Sequence, residues 1–219
     1  MIVDTHGSSG CIENFTDFET MTEWKNIFHN EKHFNTDTIH QTKELAVHAH
    51  GLEDVNHMET IGSTKGIDKN HKGYLWFKKV ILDKIQPYFS KEFHLMYGHF
   101  ADSKKPLVMH LDYYPEYIPE GYQPYVSCLI PYTADYTVDK VHHAATVICN
   151  KPGTMTQQEY DEHLSHNNPI CMQEYSIHKV HHWRTGDLIW WDQSAYHGSN
   201  NFPLKVSSKQ SLVLHTYAR

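Results

Sequence analysis

Several patterns are missing from this 219-residue chain, and each absence removes a class of function. No stretch approaches the roughly 20 apolar residues that a membrane-crossing helix needs. The opening MIVDTHGSSG has no basic region followed by an apolar core, so it does not read as a secretory signal. The four cysteines, Cys11, Cys128, Cys149 and Cys171, include no CxxC pair. That spacing argues against a disulfide frame or a zinc ribbon and predicts reduced thiols in a cytoplasm. Lysine and arginine form no run, and the net charge is −7 with histidines neutral. Such a balance lacks the basic footprint of a duplex-binding protein and disfavours nucleic acid as a partner. HExxH and a nucleophile elbow are both absent, which weakens zinc-hydrolase and serine-hydrolase readings. No internal repeat and no low-complexity linker divides the chain, so residues 1–219 read as one domain.

What is abundant is aromatic and imidazole side chains. Fourteen Tyr and five Trp make a packed core the expectation. Histidine reaches 20 residues, and this supply lowers the weight of any single one. Pairs such as His142-His143 and His181-His182 arise readily by chance in such a composition.

The two parts of the chain differ in period. Residues 1–92 read as helix and loop that support the rest. Thr20–Asn30 places Met21, Trp24, Ile27 and Phe28 at helical spacing, and a short helix is expected around Thr42–Val47. Lys72–Lys91 is the clearest helix: Leu75, Phe77, Ile81, Leu82 and Ile85 recur every three to four residues, with lysines between. Pro87 should end or kink it. From Phe93 the period shifts toward two. Strands are predicted at Phe93–Ala101, Leu107–Tyr113, Tyr125–Tyr132, Ala144–Cys149, Glu174–Val180, Asp187–Asp192 and Lys209–Tyr217. Pro, Gly and Asn turn signals separate them, and Thr156–Leu164 is the one helical candidate in this half. Short strands without intervening helices predict a mostly β fold: a sandwich, jelly roll or barrel over residues 93–219, with N-terminal helices packed on it.

One motif in the β half carries chemistry. His110 and Asp112 are two apart on a predicted strand and so share a face. Random placement gives about one His-x-Asp in this composition, so the pair alone decides nothing. The sequence around it decides more. Two imidazoles and one carboxylate on one octahedral face hold iron(II) and leave three positions free. A third ligand must then come from a distant strand, and GDLIWWDQSAYHGSNNF supplies His197, followed by Gly198 with room for close packing. The next segment, KQSLVLHTYA, alternates cleanly. Lys209, Ser211, Val213, His215 and Tyr217 lie on one face. A lysine with a serine two residues on can hold a carboxylate by one charge-assisted and one neutral hydrogen bond.

His110-x-Asp112, then His197, then Lys209 twelve residues on, then Ser211: this order resembles the iron(II)/2-oxoglutarate-dependent oxygenase superfamily. The likeness covers about Phe93 to Arg219. It implies a double-stranded β-helix, or jelly roll, with Fe(II) held by His110, Asp112 and His197. Lys209 and Ser211 would bind the far carboxylate of the cosubstrate 2-oxoglutarate, and a tyrosine on an earlier strand, Tyr97 by position, would join them. Most members carry arginine where Lys209 stands, and the two are not equivalent. Lysine serves there in the prolyl 4-hydroxylase-like branch, which Lys209 therefore favours; Lys205 is the runner-up. The implied reaction uses O2 and converts 2-oxoglutarate to succinate and CO2 while hydroxylating a substrate C–H bond. The substrate would be a prolyl or other peptide side chain, or a small metabolite. Stand-alone members occur in bacteria and their phages, so the expected location is a cytoplasm, that of the host if phage-encoded.

Residues 113–125 follow directly from the His-x-Asp strand. Tyr113, Tyr114, Tyr117, Tyr122 and Tyr125, stiffened by Pro115, Pro119 and Pro124, are either a lid over the substrate or a cap on the barrel. Trp190, Trp191 and Asp192 read as strand interior and exit; His215 reads as core or, on the Lys209 face, as a support behind the site. Two rival functions remain: a jelly-roll module that binds a ligand without chemistry, and a cupin-type isomerase or dioxygenase using histidines only. His48, His50 and a later acid, Glu53, also have a cupin-like spacing, but they precede the β half among polar residues and read as an exposed loop.

Overall fold

The computed structural model describes residues 9–29, 62–67, 74–103, 106–112, 115–132, 144–201 and 209–219. The expected helix at 42–47, the His48/His50/Glu53 set, His142-His143, Tyr113, Tyr114 and Lys205 lie outside the described residues. Among the described residues, nine strands form two antiparallel sheets: β1 (Ser9–Ile12), β2 (Gly62–Ile67), β3 (Phe93–Ser103), β4 (Gln123–Tyr132), β5 (Ala145–Asn150), β6 (Ser176–His182), β7 (Leu188–Asp192), β8 (Tyr196–Ser199) and β9 (Lys209–Ala218). The larger sheet has the order β1-β7-β4-β9-β3-β2, and the smaller has the order β6-β5-β8. The chain crosses repeatedly between them, as in a jelly roll. The expected strand at 107–113 is an extended segment with one bridge, His110 to His197, which places it beside β8.

The first 92 residues differ from the expectation of helix and loop alone. They contribute β1, paired with β7, and β2, paired with β3, the two outer strands of the larger sheet. Their short, glycine-containing sequences, SGCI and GSTKGI, carry too little alternation to be read as strands.

The faces of the larger sheet have different tasks. Leu95, Phe100, Cys128, Ile130, Leu188, Trp190, Leu212 and Leu214 pack outward against Phe15, Met21 and Trp24 and against the helical run at 74–88. Met21 and Trp24 come from α1 (Phe18–His29) and are buried; the side chains of Ile27 and Phe28 lie outside the described residues. Within 74–88, Phe77, Ile81, Leu82 and Ile85 are buried as the spacing predicts, whereas Leu75 is 77% exposed at the first turn. A π turn at Lys78–Leu82 shifts the register, and the run closes in a 3-10 turn at Gln86–Tyr88 around Pro87. No helix among the described residues is long and apolar enough to cross a membrane.

The inner face is partly apolar. Leu129, Ile148, Trp183, Ile189 and Trp191, with Val213 against them, fill one part of the space between the sheets. Ser127, Thr146, His197, Ser199, Lys209, Ser211 and His215 are also buried. Polar side chains at that depth require partners, and those partners define the site.

The predicted helix at Thr156–Leu164 forms. Thr156 caps it in a reciprocal capping box with Glu159, and Tyr160–Leu164 continues as a π turn. Its Tyr160 and Leu164 cover the outer face of the smaller sheet with Val147, Cys149 and Met155. All four cysteines are free thiols in the structure, and all but Cys11 are buried.

Candidate functional site

A single backbone bridge brings the first two candidate ligands together. The His110 N–H donates to His197 O at 2.9 Å, and the His197 N–H returns a bond to His110 O at 3.0 Å. The two rings then lie with centroids 4.2 Å apart. Gly198 permits this approach. A Cβ there would lie 3.1 Å from Leu107 O and 3.2 Å from Met109 N, so any side chain would press on the segment that carries His110.

Each imidazole is oriented by a carbonyl two residues back. His110 Nδ1 lies 2.8 Å from Val108 O, and His197 Nδ1 lies 3.1 Å from Ala195 O. A carbonyl only accepts, so each Nδ1 carries the proton and donates. In the neutral ring this leaves the Nε2 lone pair available. Both Nε2 atoms face Asp112: His110 Nε2 is 3.5 Å from Oδ1, and His197 Nε2 is 3.3 Å from Oδ2. Asp112 is 2% exposed, so its carboxylate is fixed by neighbours rather than by water.

Those neighbours include two side chains from the strand interior, Trp191 and His215. Trp191 Nε1 donates to Asp112 Oδ2 at 3.1 Å. His215 Nδ1 lies 3.5 Å from the same oxygen and 2.9 Å from Ser127 Oγ. Trp191 and His215 therefore support the carboxylate; this corrects the reading of Trp191 as strand interior, and for His215 it favours the supporting alternative over core. Strand alternation already placed His215 on the Lys209 face. No sequence signal distinguished Trp191 from Trp190, whose ring packs in the outer core.

The charges follow from these contacts. Burial alone would raise the Asp112 pKa. The imidazoles of His197 and His215, with hydrogen bonds from His110 and His215, outweigh burial and hold the carboxyl well below its ordinary range. Burial pushes His197 down to about 4, against the pull of Asp112, so it is neutral at physiological pH. For His110 burial acts the same way, but the Asp112 contact and the Val108 carbonyl win and raise its pKa.

The donor set suits a divalent transition metal: two imidazole nitrogens and one carboxylate. One ligand atom from each of the three residues lies within 4.8 Å of the others. Atoms ~2.1 Å from a shared ion at right angles stand about 3 Å apart, close to the spacings around Asp112. The carbonyls behind His110 and His197, and Trp191 and His215 behind Asp112, are the outer contacts that hold metal ligands in place.

At the other end of the same inner face lies Lys209, 3% exposed. Its Nζ donates to Ser199 Oγ at 2.7 Å and sits 3.9 Å from the Trp183 ring centroid. Trp183 is fixed in turn by its Nε1 bond to Thr146 Oγ1 at 2.9 Å. Burial brings the Lys209 pKa down to about 7. Ser199 is two residues after His197 on β8, about 7 Å along a strand. Ammonium and imidazole thus share one wall. Ser211, buried two residues after Lys209, points the same way by strand period.

Tyr97 lies on the inner face, but toward the Asp112 end. Its register partner is His215, whereas Lys209 pairs with Ser103. The tyrosine-rich segment divides. Pro115–Tyr117 is a 3-10 turn with Tyr117 56% exposed, and Tyr122 stands edge-on to Tyr217 with centroids 5.3 Å apart. Tyr125, by contrast, is buried in the outer core against Phe89, so it belongs to neither lid nor cap. Sequence reasoning also passed over Ser199, Ser127 and His99, whose polar side chains gave no signal until the register was known.

No protein-family model matches the sequence, and no curated protein does. Solved structures do resemble it in fold. One is a prolyl-4-hydroxylase from Pseudomonas putida, with TM-score 0.46 and 12% identity over 96% of this chain and 92% of that one. A second is a non-heme alpha-ketoglutarate-dependent epimerase from nogalamycin biosynthesis, with TM-score 0.49 and 10% identity over 96% and 78%. A third is a prolyl hydroxylase from Trichoplax adhaerens in complex with a hypoxia-inducible-factor peptide, with TM-score 0.47 and 8% identity over 97% and 84%.

Proposed function

We propose that this chain is an Fe(II)- and 2-oxoglutarate-dependent dioxygenase that hydroxylates a C–H bond of a small metabolite or a peptide side chain, prolyl included. One observation carries the reading. His110 and His197 turn their Nε2 atoms toward the Asp112 carboxylate on one wall, and a buried ammonium, Lys209, stands two residues along the strand that carries His197.

In this reading His110, Asp112 and His197 hold the iron. When bound, the metal supplies the redox chemistry that joins O2 cleavage to 2-oxoglutarate decarboxylation. Atoms balance as substrate R–H, O2 and 2-oxoglutarate giving R–OH, succinate and CO2. The protein's own residues bind and orient. Lys209, in its protonated form, takes the far carboxylate of the diacid, and Ser211 adds a hydroxyl from the same face. Ser199 and the Trp183 ring keep the ammonium in place. Trp191 and His215 fix the rotation of the Asp112 carboxylate. Leu129, Ile189 and Val213 line the inner face as an apolar surface that excludes water from the diacid's methylenes.

A succinate-release screen with Fe(II), ascorbate and O2 tests the proposal. Peptides, free amino acids and nucleosides are offered in turn, and His110→Ala serves as control. Succinate should form with the wild-type chain and rise with the true substrate. A protein that binds neither Fe(II) nor 2-oxoglutarate would instead be a non-catalytic jelly-roll module. Activity that survives Asp112→Ala would point to a histidine-only, cupin-like site.

A further inference from the structure

His99 is a polar group that the proposed chemistry has not used, partly buried as a residue and with its Nδ1 enclosed. It lies on β3 opposite Val213, between the pairs Tyr97–His215 and Ala101–Ser211. Directly opposed residues of an antiparallel pair share a face. Val213 packs with the inner cluster, so His99 faces the interior too. It stands one pair from His215, which touches Asp112, and two pairs from Lys209.

Two rings hold its position. His99 stacks on Tyr97 with centroids 5.3 Å apart and planes at 28°, and on His215 at 5.7 Å and 26°. Its Nδ1 is shut off from water and has no hydrogen-bond partner among the described residues. An enclosed donor with no acceptor is costly, so Nδ1 is the bare nitrogen and Nε2, which is not enclosed, carries the proton. Burial, with His215 beside it, pushes the His99 pKa to about 3 against the pull of Asp112, so the ring is neutral and offers one N–H donor and one acceptor.

We propose that His99 binds the cosubstrate, donating its Nε2–H to an oxygen at the metal-binding end of 2-oxoglutarate. This rests on the dioxygenase reading. The ring stands between the iron ligands and Lys209 and is stacked toward the iron end. It therefore meets the 1-carboxylate or 2-oxo oxygen rather than the far carboxylate. Tyr97, expected from sequence to make a cosubstrate contact, serves here as the stacking support that sets the angle of the His99 ring.

Equilibrium binding tests it without turnover. Mn(II)-loaded protein is titrated without O2 against 2-oxoglutarate and against butyrate, which shares the far carboxylate and both methylenes but has no oxygen at the metal-binding end. His99→Phe should weaken 2-oxoglutarate binding about tenfold. It should leave butyrate binding and Mn(II) affinity unchanged. His99→Asn, whose amide also donates, should recover part of the loss. Equal binding of 2-oxoglutarate by wild type and both variants overturns the proposal, as does an equal loss for the two ligands. Retained Mn(II) affinity shows that each variant is folded. A wild-type chain that binds no 2-oxoglutarate at all refutes the dioxygenase reading itself, a separate result.

Discussion

Lys209 makes diacid binding depend on pH in a calculable way. Burial lowers its pKa to about 7 in the empty site. A carboxylate placed against the ammonium would return it toward the ordinary lysine value of about 10.4. Only the charged form forms the pair, so binding must supply the proton that the empty site has lost. At pH 7 about half of the empty protein carries it, and at pH 8 about one tenth. The Kd for 2-oxoglutarate should rise roughly fivefold from pH 7 to pH 8 and about ninefold more by pH 9. Binding should take up about half a proton at pH 7 and about 0.9 at pH 8. Calorimetry on Mn(II)-loaded protein, in buffers of different ionisation enthalpy, reads both quantities. Lys209→Arg stays charged throughout, so its Kd should be flat above pH 7. Stability follows the same linkage. The unfolded chain holds the proton more tightly between pH 7 and the ordinary lysine range, so Lys209 makes stability rise with pH across that window. A wild-type Kd that is flat from pH 6.5 to 9, with no proton uptake, would refute the assignment of Lys209 as the buried counter-ion.

Other outcomes follow from the same geometry. Asp112→Ala should abolish tight Fe(II) or Mn(II) binding, measured by calorimetry, because the two neutral imidazoles alone lose the anionic ligand. His215→Phe removes a contact behind Asp112 and leaves Ser127 Oγ without its ring partner; metal affinity should fall 10- to 100-fold, and stability to urea by about 1–3 kcal/mol. Gly198→Val should push the 107–109 backbone away from β8 and cost at least tenfold in metal affinity, while far-UV circular dichroism stays unchanged. Trp183→Ala should destabilise by about 3–5 kcal/mol in denaturant unfolding, since it empties the inner cluster and strips Lys209 of its ring.

Much of this arrangement was legible in the sequence because strand alternation is a strong signal. KQSLVLHTYA sorted Lys209, Ser211, Val213 and His215 onto one face before any coordinates, and the structure keeps that order. The helical run was legible for the same reason: Phe77, Ile81, Leu82 and Ile85 are buried where a 3.6-residue period puts them. Leu75 departed because the π turn at Lys78–Leu82 that follows it shifts the register. What local pattern cannot carry is register across strands far apart in the chain. The support of Asp112 by Trp191 depends on a contact between residues 79 apart, and that by His215 on a sheet position no neighbouring residue encodes. β1 and β2 escaped notice because edge strands with little side-chain alternation owe their form to β7 and β3. Tyr125 left the tyrosine-rich loop for the outer core because a bulge in β4 between Pro124 and Ser127 resets which face it takes.

The most direct test is where a metal goes in a chain with 20 histidines. Crystals grown with Mn(II) and N-oxalylglycine, a non-reacting mimic of 2-oxoglutarate, would give an anomalous map. One strong peak is expected, about 2.2 Å from His110 Nε2, His197 Nε2 and an Asp112 oxygen, with the mimic's far carboxylate against Lys209 Nζ. A peak only at surface histidines such as His178 or His182, or the mimic bound away from Lys209, would contradict it.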